Sequence, residues 1–158
     1  METIEKGLRI LKSVYEGWEN EVKPEILFLE KNFSVKIGGQ TIRGMIDRID
    51  RAGEDEVEII DYKTGNPKEK LAYADKRQLL IYQAALEDIF KFKVGRLTYY
   101  YLENNSRQSF VATPREVEKV KQEIIEEIAE IKKMNFPPKP GKLCAYCDFK
   151  NICEFRSN

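Results

Sequence analysis

Apolar residues recur at helical spacing near the start of the chain, with Ile4, Leu8, Leu11, Tyr15 and Trp18 on one face. The spacing predicts an amphipathic helix over residues 3–19, capped by Thr3, with Tyr15 and Trp18 packed into the core. Pro24 closes the segment, because its ring removes an amide donor and fixes φ. The period then changes. Residues 26–37 read as a strand, with Leu27, Leu29, Phe33, Val35 and Ile37 at the inward positions. Gly38-Gly39 is a hairpin signal, since glycine accepts positive φ without steric cost. Residues 40–51 return as an antiparallel partner. A turn over residues 51–55 leads to a third strand, Val57 to Tyr62.

Thr64-Gly65-Asn66-Pro67 breaks that strand. Residues 68–90 read as a helix with Leu71, Leu79, Tyr82, Leu86 and Phe90 on its apolar side, and Gln78 stacks with Tyr82 four residues on. Residues 94–102 form a tyrosine-rich strand, Asn104-Asn105-Ser106 a turn, and residues 109–112 a short partner strand. Thr113, Pro114 and Glu116 spell a capped helix start. The helix runs to about residue 134, with Val117, Val120, Ile124, Ile128 and Ile131 as its buried stripe. A proline-rich linker opens at Asn135 and precedes Cys144, Cys147 and Cys153. The expectation is an α/β fold: a mixed central sheet of about five strands flanked by helices over residues 1–135, and a cysteine-bearing tail over 136–158.

Composition narrows the chemistry. The chain has 158 residues, 42% hydrophobic and 34% charged, enough for one soluble domain with a core. Lys+Arg and Asp+Glu are both 27, so there is no basic excess, and any nucleic-acid contact must rely on local patches. No apolar run approaches a membrane span, and the opening residues are acidic and helical rather than a signal peptide, so the expected location is cytoplasmic. Three cysteines at one end are not a disulfide framework. There is no histidine, which removes His-based catalysis and ligation.

The charged residues that remain unusual sit at a strand end. Ile59, Asp61 and Lys63 share one face of the third strand, and Asp47 on the neighbouring strand could supply a second carboxylate. Buried charge is costly unless it is paired or binds a metal. Two carboxylates and a lysine at one point suit a hard cation such as Mg²⁺, with the lysine orienting water or stabilising charge on a phosphate. Glu30 is either a solvated strand residue or a neighbour of that metal. Asp50 pairs most simply with Arg48 or Arg51. Lys76 and Arg77 are phosphate contacts or solvated. The spacing Cys-x2-Cys-x5-Cys without histidine suits soft thiolate coordination of a metal or cluster; reduced, unligated cysteines are the plain alternative.

Gly44-x-x-Asp47-Arg48-x-Asp50, then Asp61-Tyr62-Lys63-Thr64-Gly65, then Gln78-x-x-x-Tyr82, resembles the PD-(D/E)XK nucleases of the RecB-like branch. That branch includes the nuclease domains of bacterial helicase–nucleases and CRISPR-associated RecB-like nucleases. The resemblance runs from about Glu30 to the last cysteine. It implies a restriction-endonuclease-like fold and hydrolysis of DNA phosphodiesters. Asp47, Asp61 and the carbonyl of Tyr62 would hold Mg²⁺ or Mn²⁺, Lys63 would steer water or stabilise charge, and Gln78 and Tyr82 would organise the substrate side.

The resemblance also implies a [4Fe-4S] cluster on Cys144, Cys147 and Cys153 with a fourth cysteine upstream, and a histidine on a helix before the first strand. Neither upstream residue is present, so the expectation is a cut-down piece or a stand-alone remnant of a larger helicase–nuclease whose cluster is incomplete, unstable or completed by a partner. Two other classes compete: a catalytically silent DNA-binding or scaffolding module, and a zinc-stabilised protein-interaction domain.

Overall fold

The computed structural model describes residues 2–20, 23–90, 92–134 and 136–156; Asn135, where the expected linker opens, lies outside them. The chain divides into two compact units, Met1–Glu126 and Glu127–Asn158. The first unit carries a five-stranded sheet in the order β1-β2-β3-β4-β5. Its strands are β1 (Ile26–Ile37), β2 (Gln40–Arg51), β3 (Glu56–Lys63), β4 (Lys93–Tyr101) and β5 (Ser106–Phe110). The helices are α1 (Glu2–Asn20), α2 (Tyr73–Phe90) and α3 (Pro114–Lys133). β3 and β4 pair parallel, joined through α2, and the other neighbours are antiparallel. The sheet is therefore mixed, as the alternation of elements predicts, and it is flanked by helices.

Gly38 and Gly39 take φ of 56° and 78° and join β1 to β2 in a two-residue turn. The capping box on α3 is present: Glu116 N–H donates to Thr113 Oγ1 at 3.2 Å, and Thr113 N–H donates to Glu116 Oε2 at 2.9 Å. The core gathers Ile46, Ile49, Val57, Ile59 and Ile60 of the sheet with Leu79, Leu80 and Leu86 of α2 and Val120 of α3. Tyr99 Oη donates to the Asp75 carbonyl at 2.5 Å, so the odd positions of β4 face α2. The even positions face the other way, where the Tyr62 and Tyr100 rings pack 5.7 Å apart. On that side Arg48 donates to both oxygens of Asp50 at 2.7 Å and to Tyr62 Oη at 3.3 Å. Burial works against the Arg48 charge, but the bonds to Asp50 and Tyr62 outweigh it and hold its pKa raised.

Several expectations change. The α1 stripe faces water: Ile4, Leu8, Leu11 and Tyr15 are exposed, Tyr15 donates to Glu19 at 2.8 Å, and half-buried Trp18 carries Lys23 over its ring. Thr3 lies inside α1 rather than at its cap. Leu29 is exposed, because a bulge between Ile26 and Phe28 and a left-handed Glu30 (φ 47°) interrupt the alternation of β1. α2 starts at Tyr73, not at residue 68: Asp75 Oδ2 takes the Ala72 N–H at 3.0 Å and caps the helix there. The β5 boundaries move as well, to Ser106–Phe110, and Ile131 of the α3 stripe is exposed.

The second unit holds the last turns of α3, an irregular stretch and a short 3-10 turn over Lys142–Tyr146. None of its three cysteines is in a disulfide. Cys144 Sγ accepts the Gly141 N–H at 3.3 Å. No helix among the described residues is long and apolar enough to cross a membrane.

Candidate active site

The β2–β3 ladder ends at the Arg48–Ile60 pair. Asp47 and Asp61 are the next residues on the two strands, at the point where the ladder stops. Asp47 takes over part of its role: Asp47 Oδ2 accepts the Tyr62 N–H at 3.0 Å. Asp61 is buried, and its Oδ2 lies 2.6 Å from Lys63 Nζ. Lys63 also donates to Gln78 Oε1 at 2.8 Å. Gln78 Nε2 donates to Asp61 Oδ1 at 2.8 Å and to Tyr82 Oη at 2.9 Å. Gln78 is thus the hub that ties both charged tips of β3 to α2. Turning its amide over would set its oxygen against the Asp61 carboxylate, so the network fixes the orientation.

The electrostatics follow from burial. Desolvation raises the Asp61 pKa; the Lys63 ammonium opposes this, and the Asp47 charge adds to it. Burial pushes the Tyr82 phenol up; the hydrogen bond from Gln78 opposes this, the Asp61 and Asp47 charges add to the rise, and Lys63 counters it slightly, so the phenol stays protonated at neutral pH. Tyr99 is raised by burial first and by Asp61 next, and Lys63 Nζ stands 5.1 Å from its ring centre.

A hard cation suits this donor set. The Asp47 charge adds to the desolvation of buried Asp61, a cost that Lys63 only partly offsets. Glu30 lies on the Asp47 side of this point. It stands between the Leu29–Arg48 and Lys31–Ile46 pairs, level with Asp47, and shares with Asp47 and Tyr62 the lining of a cavity of about 390 Å³. Among the described residues, no group of three or more His, Cys, Asp or Glu side chains is gathered closely enough to hold a metal; this applies to the three cysteines as well.

Two residues matter here that were given no role at the site: Phe33, an inward strand position, and Gly44, the first residue of the resembling motif. Phe33 packs edge-on to Tyr82, with ring centres 5.9 Å apart, and so backs the Gln78 hub. Gly44 makes that possible, because a Cβ there would lie 2.6 Å from Phe33 Cζ. The signal was available: counting outward from the Gly38-Gly39 turn pairs Phe33 with Gly44 and sets Glu30 level with Asp47.

A family model described as the PD-(D/E)XK nuclease superfamily matches residues 3–154. The chain belongs to the PD-(D/E)XK nuclease superfamily. No curated protein matches it in sequence. Among solved structures, the crystal structure of SSO0001 is similar over 94% of this chain and 67% of its own, at 23% identity and a TM-score of 0.43. For a PD-(D/E)XK chain the mixed sheet with flanking helices is the expected architecture, and membership implies a nucleic-acid substrate and a nuclease activity.

Proposed function

We propose that this chain is a metal-dependent deoxyribonuclease of the RecB-like branch, hydrolysing DNA phosphodiesters with Mg²⁺ or Mn²⁺. The observation that carries the reading is the convergence at the end of β3. Asp61, Lys63 and Gln78 meet within 2.6–2.8 Å of one another, and Asp47 stands one residue past the end of the ladder.

Asp47, Asp61 and the Tyr62 carbonyl would hold the cation. When bound it supplies Lewis-acid stabilisation of the charge that grows on the phosphoryl group. Lys63 keeps a positive charge at the reacting centre, oriented by Gln78, and there steers the attacking water or balances the extra negative charge. Gln78 holds Asp61 and Lys63 in fixed relation, and Tyr82 with Phe33 behind it keeps Gln78 from turning. The chain would act within or beside a DNA repair or recombination helicase, in the cytoplasm.

The tail adds a second cofactor to the proposal. Cys144, Cys147 and Cys153 would ligate an iron–sulfur cluster whose fourth ligand comes from outside this chain. Anaerobic purification giving a brown protein, with colour lost in Cys147→Ser, supports the cluster; colourless zinc-bearing protein argues for the interaction-domain alternative.

The test of the activity is cleavage of a labelled oligodeoxynucleotide with Mn²⁺ or Mg²⁺. The expected result is metal-dependent cleavage in the wild type and its loss in Asp61→Ala and Lys63→Ala. Cleavage unchanged in those variants overturns the reading, and DNA binding without cleavage by wild type favours the scaffolding alternative.

A further inference from the structure

A cavity of about 330 Å³ opens beside the proposed reacting centre. Lys63 and Gln78 form one side of it, and Gly65, Lys68, Asp75 and Tyr101 contribute to the rest. Its volume lies at the low end of the roughly 300–1,000 Å³ typical of small-molecule pockets, so it suits one nucleotide unit. Gly65 leaves its side open, because nothing stands within 4 Å of where a Cβ would be. Resting on the nuclease reading of Lys63 and Gln78, we propose that Lys68 is a second phosphate-binding side chain. Asp75 holds it in the free protein and yields it to the nucleotide next to the scissile bond.

Three observations support the exchange. The backbone of Lys68 is anchored independently of its side chain, since Gln108 Nε2 donates to the Lys68 carbonyl at 2.8 Å. The side chain itself is 61% exposed and makes its ion pair with Asp75 at the surface, where such pairs are weak. Asp75 keeps a partner when Lys68 leaves, because its Oδ2 accepts the Ala72 N–H at 3.0 Å in the first turn of α2. The nearby cations on α2 are engaged elsewhere: Lys76 pairs with Glu116 at 3.3 Å and Arg77 with Glu123 at 3.7 Å. With equal numbers of acidic and basic residues in the chain, a single ammonium at the mouth of the site counts. The pairing is also a selectivity device. Only a ligand that brings an anion to that point recovers what the Lys68–Asp75 pair loses.

The experiment uses the full chain with a fluorescein-labelled oligothymidylate in Ca²⁺ buffer, read by anisotropy across a salt series. Lys68→Ala is expected to weaken binding severalfold and to lower the log–log salt slope by about 0.7, the value for one phosphate contact on a single strand. Asp75→Asn, whose carbonyl oxygen can still accept the Ala72 N–H, is expected to tighten binding, and that gain should vanish in the Lys68→Ala background. Circular dichroism of each variant checks that α2 is intact. Unchanged affinity and slope in Lys68→Ala overturns the proposal, as does an Asp75→Asn gain that survives without Lys68. If the wild type binds the oligonucleotide and Asp61→Ala abolishes cleavage while Lys68→Ala changes nothing, this proposal alone falls. A wild type that binds no oligonucleotide overturns both readings.

Discussion

Adding one methyl group at Gly44 should damage the site from behind. A Cβ there would lie 2.6 Å from Phe33 Cζ and 2.7 Å from its Cε1, well inside van der Waals contact. Phe33 is only 7% exposed and packs against Tyr82, so displacing its ring disturbs that contact. Overpacking of this kind costs about 1–3 kcal/mol. Gly44 is not at positive φ, so alanine meets no backbone strain and gains about 0.4–1 kcal/mol from a less flexible unfolded chain. At the middle of both ranges the clash wins, leaving a net loss of about 1.3 kcal/mol. At about 2–4 °C per kcal/mol for a chain of this size, Gly44→Ala should melt about 3–5 °C lower. The Phe33 ring should also be pushed against Tyr82, loosening Gln78 and reducing Mn²⁺-dependent cleavage. Phe33→Leu supplies the internal check. Alone it leaves a void, but combined with Gly44→Ala it makes room for the added methyl. The double variant should therefore be more stable than the two single losses add up to. Urea and thermal melts followed by circular dichroism measure all three. Gly44→Ala at or above wild-type stability, or strict additivity with Phe33→Leu, would refute the reasoning.

Other outcomes follow from the same contacts. Gln78→Leu removes the hydrogen bonds to Lys63, Asp61 and Tyr82 and should lower kcat more than it raises KM, measured by steady-state cleavage. Arg48→Met leaves the buried Asp50 charge without its partner and should cost about 3–5 kcal/mol, while Arg48→Met with Asp50→Leu should recover much of it in urea melts. The Asp61 pKa is raised in the folded protein, so the native state holds that proton to higher pH than the unfolded chain does. Its ionisation therefore opposes folding: the favourable contribution is full below the ordinary carboxylate value and is lost as pH rises through the raised pKa. A divalent cation reverses this at neutral pH. The Mn²⁺-induced rise in Tm should be largest there and should disappear on acidification at a higher pH than an ordinary aspartate would give, read by thermal melts over a pH series.

Most of the framework was legible because short-range signals agreed. The Gly38-Gly39 turn fixed a hairpin, the Thr113 and Glu116 pair started α3, and alternation placed Asp61 and Lys63 on one face of β3. Helical spacing likewise set Gln78 over Tyr82. What was not legible depended on breaks in period or on tertiary context. The α1 stripe reads as core by spacing alone, and no local signal shows that Ile4, Leu8 and Leu11 face solvent. Leu29 lost its inward phase to a bulge and a left-handed Glu30, neither of which carries a sequence mark. The delayed start of α2 turned on Asp75 reaching back to Ala72, a side-chain bond invisible to periodicity. The buttress of Gly44, Phe33 and Tyr82 needed the hairpin register to be carried through to its contacts.

The central claim is that Asp47 and Asp61 share one cation beside Lys63, and calorimetric titration with Mn²⁺ tests it most directly. The account predicts one saturable site in the wild type, its loss in both Asp47→Ala and Asp61→Ala, and affinity no weaker in Lys63→Ala, where the competing ammonium is gone. Absence of binding in the wild type, or binding that survives removal of either carboxylate, would contradict it.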